Sequence, residues 1–395
     1  MSAPGHVLVV GASVGGLTTA ESLRRRGFTG RLTLLDAEPR QPYDRPPLSK
    51  QVLAGVWPPE RVPLRQPETL SALDAEFLLG DPAAGLDVAE RTVHTVGGRV
   101  LTADVVVVAT GLRPRTLPGQ AGLAGVHVLR TLDDAMALRA DLLRCARLVV
   151  VGDGVLGAEI AASARGMGVE VTMVGPQPAP LTSRFGPLVA GVLAELHTER
   201  GVDLRPGAAV TGLTERHGRV TGVCLEGGEV LPADVVVVAL GGEPVTDWLA
   251  HSGLDVDDGL ICDSRCRAAE GIYAVGDVAR WHHEALGVAV RWENRTNAVE
   301  QAVAVAGDIL GDDQPYTPVS YFWTDQFDAR IHVHGETSPT AEVSIVEGDV
   351  AERRFVAAHR RDGGVIGVVG WNMPKQARLR RRELVGASVL VGGKS

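Results

Sequence analysis

The sequence predicts an α/β fold: two doubly wound parallel-sheet domains, one inserted in the other, followed by a C-terminal α+β domain. Three observations carry that expectation. An apolar run ending in glycine, Leu101–Gly111, returns 130 residues later as Leu231–Gly241. Each run is preceded by a strand, a glycine loop and a helix, and the two loops begin at Gly11 and Gly152, 141 residues apart. Beyond Pro315 the continuous apolar runs give way to short alternating segments, the pattern of an antiparallel sheet with one wet face. The expected domains are residues 1–112 with 242–318, residues 113–241, and residues 319–395.

The first element is the strand His6–Val10, apolar enough to be buried on both faces. Gly11, Ser13, Val14, Gly15 and Gly16 follow and open a helix to Arg26. Such a loop lets the backbone approach a pyrophosphate, whose charge the helix N-terminus stabilises, so each unit reads as Rossmann-like. Ser13 stands where the close-approach glycine is expected, which leaves Gly15 and Gly16 to supply flexibility. The next strand, Leu32–Leu35, ends at Asp36 with Glu38 close behind, the place of an acidic residue that binds ribose hydroxyls.

The second unit repeats the design with the strand Leu148–Val151, then Gly152, Gly154, Val155, Leu156 and Gly157, and a helix to Arg165. Its next strand, Val171–Val174, ends at Gly175-Pro176-Gln177 without a carboxylate. Arginines to meet a 2′-phosphate are missing too, since Arg184 lies nine residues further. Gln177 reads as a turn residue, with a bond to a ribose hydroxyl as the alternative. The chain returns to the first domain near Gly242, where Gly271–Val275 forms a strand leading to Gly276 and Asp277. Arg330–His334 and Val365–Val369 read as antiparallel strands, and Pro374–Leu384 as a basic helix.

Composition narrows the function classes. Hydrophobic residues at 45% and charged residues at 22% exclude disorder, collagen and coiled coil. No apolar run approaches the ~18 residues that cross a bilayer, and Met1–Val10 lacks the basic start of a signal peptide. Four cysteines are too few for a disulfide scaffold, so a cytoplasmic protein is expected. A net charge of −9 argues against a nucleic-acid partner. The charge is uneven: residues 351–395 carry +7 and the rest −16. Arg378, Arg380, Arg381 and Arg382 make either a solvated helix face or a docking patch for an acidic partner. His282 and His283 have no matching ligand cluster, and no metal is expected.

Further motifs occur in order: Pro42-Tyr43-Asp44-Arg45-Pro46-Pro47-Leu48-Ser49-Lys50, Ala109-Thr110-Gly111, Ile272–Ala279 and Phe322-Trp323-Thr324-Asp325-Gln326. With these the chain resembles the FAD-dependent ferredoxin reductases of bacterial oxygenase systems, which have the pyridine nucleotide-disulfide oxidoreductase fold without the redox disulfide. The resemblance implies an FAD domain (1–112 and 242–318), an inserted NAD(P)H domain (113–241) and a C-terminal α+β interface domain. For FAD it implies contacts from the first glycine loop, Asp36, Glu38, Arg45, Lys50, Ala84, Ala109, Thr110, Gly111, Arg130, Gly276, Asp277, Glu293, Arg295 and Trp323, with Asp277 at a helix N-terminus. For NAD(P)H it implies the second glycine loop, Glu159, Gly175 and Gly241.

Lys50, paired with Glu159, is implied to lie beside the flavin N5, where an ammonium steadies the charge of the reduced ring. Trp323 is implied to cover the flavin or nicotinamide face. Arg295 departs from the apolar residue of relatives; it either lowers the energy of the anionic reduced flavin or points to solvent.

Relatives that reduce disulfides carry a C-x-x-x-x-C pair near the flavin, and Asp36–Trp57 contains no cysteine. Cys262 and Cys266 read as structural. The expected reaction is hydride transfer from NAD(P)H to flavin, then single-electron delivery to a [2Fe–2S] ferredoxin. The alternatives are direct reduction of a small organic acceptor or oxygen, and a flavin-holding regulator with little turnover. The missing arginine cluster leans the donor to NADH, with NADPH as the alternative. The sequence leaves monomer and dimer open.

Overall fold

The structure is a computed structural model that describes the backbone of residues 4–391 and the side chains of residues 4–384. The chain forms two compact units. The first comprises the residues up to Asp44, Pro63–Arg113 and Glu243–Ser320; the second comprises Arg45–Val62, Pro114–Gly242 and the chain from Tyr321 onward.

In the first unit a six-stranded sheet runs in the order Arg267–Ala269, Ile272–Ala274, Val105–Val108, His6–Val10, Arg31–Asp36 and Glu76–Leu79. All of these pairings are parallel except that between the first two strands. The central strands are buried on both faces, Val7, Leu8, Val9, Val106, Val107 and Val108 being fully inaccessible. Each such side chain contributes about 1.5–3 kcal/mol of burial, which is why these runs carry no polar alternation. The glycine-loop helix Val14–Arg25 packs against the helix Arg295–Ile309.

The second unit repeats the arrangement. Its all-parallel sheet runs Val202–Pro206, Glu170–Gly175, Arg147–Val151, Val235–Val238 and Val126–His127. The repeated apolar runs sit equivalently: Val105–Val108 pairs with Val7–Val10, and Val235–Val238 with Leu148–Val151. Each sheet is accompanied by a three-stranded antiparallel sheet, Ala83–Asp87 to Val100–Thr102 in one unit and Val210–Arg216 to Val230–Pro232 in the other.

The C-terminal segment of the second unit is a five-stranded antiparallel sheet ordered Tyr321–Gln326, Ala329–Gly335, Gly364–Trp371, Arg354–Arg361 and Glu342–Asp349. Phe355 and Trp371, both fully buried, stack at 5.7 Å in its core. The expected basic helix packs on this sheet and is longer than the charge pattern indicated, running Pro374–Val391.

Candidate functional site: two nucleotide loops and a buried lysine–glutamate pair

In the first unit the loop turns at Gly11, whose φ of +107° is left-handed; a Cβ there would overlap the Ala109 carbonyl oxygen. Gly16 lies on the first turn of the helix, where a Cβ would overlap the carbonyl oxygen of Gly11. Gly15, expected to supply flexibility, is not needed for that purpose. It lies within the helix, and a methyl there would meet Val275 and Ala298 at ordinary van der Waals distances. Ser13 is the N-cap in extended backbone, and its side chain makes no cap bond. The first N–H groups of a helix have no partner within it, so those of Val14, Gly15 and Gly16 are positioned for an anion.

Asp36 ties this loop to the end of its strand. Its Oδ2 accepts the Ala12 N–H and its Oδ1 the Glu38 N–H at 2.8 Å. Tyr43 donates to the Glu38 carboxylate. Ala109 donates its N–H to the Val10 carbonyl, and the Thr110 hydroxyl donates to the Val245 carbonyl at 2.8 Å. Gly111 turns with φ +67°. Ala84 is on a different sheet and lines a cleft with Leu86, His94 and Trp248. From the segment before Ala84, Asp81 donates its N–H to the Asp36 carbonyl at 3.0 Å.

Two other expectations change. Gly276–Val278 is a single 3-10 turn followed by the strand Ala279–His283, so Asp277 does not begin a helix. The physical reason is pairing: Ala279, Arg280 and Trp281 extend alongside Leu260, Ile261 and Cys262, which draws the chain into a sheet. The nearby helix N-terminus belongs to Arg295–Ile309, capped by the Asn294 Oδ1, which accepts the Asn297 N–H at 2.7 Å. Arg295 itself is only about one-third exposed and does not simply face solvent; its Nε donates to Asp44 Oδ1 at 2.6 Å. Glu293 pairs with Arg291, which also holds Asp258 and the Asp277 carbonyl. The residues of this unit fit a dinucleotide: a turn only glycine can make, open helix N–H groups, and a carboxylate at the ribose position.

The second loop has the same cradle. Gly154 is the N-cap of the helix Val155–Gly166, nothing lies within 4 Å of where its Cβ would be, and a Cβ on Gly157 would overlap the Gly152 carbonyl oxygen. Val155 and Leu156 therefore present free-standing first-turn N–H groups. Gly241 turns with φ +82°, and its carbonyl accepts the Arg115 N–H. At the strand end, Gly175 meets Asp153: a Cβ on Gly175 would fall on the Asp153 carboxylate. That carboxylate accepts the Gln177 N–H at 2.8 Å and its side-chain amide at 2.7 Å, while Gln177 Oε1 accepts the Ser183 N–H at 2.7 Å. Gln177 is thus a brace, and the strand end has a carboxylate beside it after all.

Lys50 and Glu159, the expected pair, come together within the second unit. Pro46 and Pro47 set the 3-10 turn Pro46–Ser49, and Lys50 follows it. Lys50 Nζ donates to Glu159 Oε2 at 2.7 Å, with side chains only 12% and 6% exposed. Ser49 Oγ donates to the same oxygen at 2.6 Å, and Thr324 Oγ1 donates to Oε1 at 2.8 Å. Behind Thr324 the donors run one way. Gln326 Nε2 donates to Thr324 Oγ1 at 3.1 Å, and His197 Nε2 lies 2.8 Å from Gln326 Oε1. Burial lowers the pKa of His197, which keeps it a neutral donor to the amide oxygen. One turn along the helix from Glu159, Ser163 Oγ donates to the Ser49 carbonyl at 2.7 Å. Ser49, Thr324, Gln326 and His197 were not singled out from the sequence, although three of them lie inside the motifs that were.

Arg45 donates to the Arg130 carbonyl at 2.8 Å, and the Arg130 N–H bonds to Asp134 in the capping box of the helix Leu132–Leu142. Trp323 is half-buried and stacks with Tyr321 at 6.1 Å. The basic helix is not uniformly free: Arg380 is committed to Glu383 and Glu347, whereas Lys375, Arg378 and Arg382 are exposed. All four cysteines are unpaired thiols, and burial pushes the pKa of Cys262 and Cys266 up, away from a reactive thiolate. No helix among the described residues is long and apolar enough to cross a membrane.

Two strand–loop–helix units with nucleotide cradles, together with a braced lysine–carboxylate pair within the second, define a dinucleotide-dependent oxidoreductase. The chain belongs to the pyridine nucleotide-disulphide oxidoreductase family, which residues 5–302 match, and residues 321–390 match the reductase C-terminal family. It is 33% identical to rhodocoxin reductase of Rhodococcus erythropolis over 96% of this chain and 89% of that one. It is also 33% identical to putidaredoxin reductase of Pseudomonas putida, over 95% and 90%. Among solved structures it resembles the reductase of the covalent putidaredoxin reductase–putidaredoxin complex. The TM-score is 0.92 at 32% identity, covering 98% of this chain and 94% of that one. A ferredoxin reductase for the CYP199A2 system of Rhodopseudomonas palustris matches with a TM-score of 0.90 at 34% identity, covering 93% and 91%.

Proposed function

We propose that this protein is an FAD-dependent NAD(P)H:ferredoxin reductase of an oxygenase system, working in the cytoplasm. The observation that carries the reading is the buried Lys50–Glu159–Thr324 arrangement in a chain with no cysteine from Asp36 to Trp57. Disulfide-reducing relatives need a pair of thiols in this stretch, and this chain has none there. FAD, when bound, accepts hydride at N5 and releases electrons singly.

The chain's own residues do the rest. The first glycine loop, Asp36, Gly276 and Asp277 would hold FAD. The second loop, Gly152 to Gly157, holds the pyrophosphate of the nicotinamide nucleotide. Glu159, fixed by Ser49 and Thr324, holds the Lys50 side chain in place, and that ammonium would steady the charge of the reduced flavin at N5. Trp323 would cover the flavin or nicotinamide face. In this reading residues 1–112 with 242–318 bind FAD, 113–241 bind NAD(P)H, and 319–395 meet the ferredoxin. Lys375, Arg378 and Arg382 form the exposed basic face of the C-terminal helix, spaced along one side of it. The four unpaired cysteines suit a reducing compartment.

The test is anaerobic rapid mixing of the FAD-loaded protein with NADH or NADPH, then with a [2Fe–2S] ferredoxin, a quinone or oxygen. Fast flavin bleaching followed by preferential ferredoxin reduction is expected. Charge reversal at Lys375, Arg378 and Arg382 together should slow ferredoxin reduction roughly tenfold and flatten its salt dependence while sparing ferricyanide. Equal loss with both acceptors removes the helix from docking, and faster transfer to quinone or oxygen than to ferredoxin removes the ferredoxin assignment.

A further inference from the structure

We propose that Asp153 reads the adenosine ribose of the nicotinamide nucleotide and rejects a 2′-phosphate, making the enzyme selective for NADH. The inference rests on the reading of the second unit as the NAD(P)H domain, and it deepens that reading. Both units close the same gap, between the glycine loop and the end of the second strand, with one carboxylate. In the first unit it comes from the strand: Asp36 reaches back and accepts the N–H of Ala12, the residue after the first loop glycine. In the second it comes from the loop: Asp153, the residue after Gly152, reaches forward and accepts the N–H of Gln177. The side chain that the strand end lacks at Gly175 is replaced in the same volume, because a Cβ on Gly175 would fall on the Asp153 carboxylate.

The chemistry matches a vicinal diol. An ionised carboxylate offers about four acceptor positions. Asp153 shows two of them used, by the Gln177 backbone and amide N–H groups. Two remain for the 2′- and 3′-hydroxyls. Its bound donors are neutral amides, and the brace continues to a backbone N–H at Ser183. Asp153 is 8% exposed, so its charge acts on a neighbouring group with little screening. A dianionic 2′-phosphate placed there would meet like charge from Asp153. Arg184, the nearest candidate counter-ion in sequence, is exposed on the first turn of the helix Thr182–Glu199.

Equilibrium binding of NAD+ and NADP+ to the FAD-loaded protein, measured by calorimetry, tests this without turnover. Wild type should bind NAD+ at least tenfold more tightly. Asp153→Asn should shrink that ratio tenfold or more, mainly by weakening NAD+ and admitting NADP+. Gly175→Glu alone should lose NAD+ binding, because the new side chain and Asp153 compete for one space. The double variant Asp153→Gly with Gly175→Glu should restore the preference with the carboxylate on the strand, as in the first unit. An unchanged NAD+/NADP+ ratio in Asp153→Asn, or a wild type that favours NADP+, overturns the proposal. Absence of binding by either nucleotide overturns the domain assignment as well.

Discussion

Glu159 is a buried carboxylate with three donors on its two oxygens: Lys50 and Ser49 on one, Thr324 on the other. Removing one member of a buried ion pair typically costs 3–5 kcal/mol, since the remaining charge is left without its partner. Glu159→Gln should therefore lower the thermal midpoint by several degrees and slow flavin reduction by NADH at least tenfold, read by differential scanning and stopped flow. Thr324→Val removes one hydrogen bond to a charge, worth about 1.5–3 kcal/mol, and should fall between wild type and Glu159→Gln in both measurements. A Thr324→Val protein identical to wild type would show that the strand does not fix the carboxylate. At this scale the sequence is readable only through motifs. Resemblance supplied the Lys50–Glu159 pair, but no spacing indicates that residue 324 bonds residue 159, or that the loop residue Asp153 occupies the space of a side chain at the end of a strand. Such contacts are fixed by sheet order, which linear periodicity does not encode.

At the scale of elements, the parallel strands and both glycine loops were legible because strands buried on both faces must be continuously apolar and tight turns must be glycine. The chemistry of each glycine was not. Gly11 and Gly16 are confined by carbonyl oxygens, whereas Gly15 has room for a methyl group. Gly16→Ala should destabilise the first unit and reduce FAD retention; Gly15→Ala should leave the fold intact, since alanine favours a helix by about 1 kcal/mol over glycine. Thermal unfolding with flavin release as the readout separates the two, and equal damage would refute the steric distinction. Arg45–Val62 shows a different limit. The segment follows first-unit residues in sequence yet belongs to the second unit, where Ser49 bonds Glu159 and Ser163 and the Leu53 carbonyl accepts Arg139. The turn at Asp277 escaped notice because Gly-Asp-Val reads equally well as a helix start until its strand partner, Leu260–Cys262, is known.

For the whole molecule, acid is the revealing perturbation. His334 and His359 are buried in the C-terminal sheet, and burial lowers both from the ordinary 6.5 to about 4; Arg381, His332 and Arg378 add to the effect at His334, while the Ser338 carbonyl opposes it at His359. Between these values the unfolded chain binds protons that the native sheet refuses, so stability is full above pH 6.5 and falls as the pH drops toward 4. Each histidine contributes a slope of about 1.4 kcal/mol per pH unit inside that window. Urea midpoints should decline from pH 6.5 to 4.5, and the decline should be shallower in His334→Gln and His359→Gln. A flat profile over this range would show that the histidines titrate alike in both states.

The hydroxyl of Thr324 has a practical consequence for anyone recombining these reductases. Its strand lies in the segment matched as a separate C-terminal family, yet it completes the coordination of a carboxylate on the nucleotide-loop helix. A chimera that grafts a foreign C-terminal segment at this border inherits correct electron traffic only if the donor brings a threonine, or an equal hydrogen-bond donor, in register with residue 324. The border is a seam in ancestry but not in chemistry.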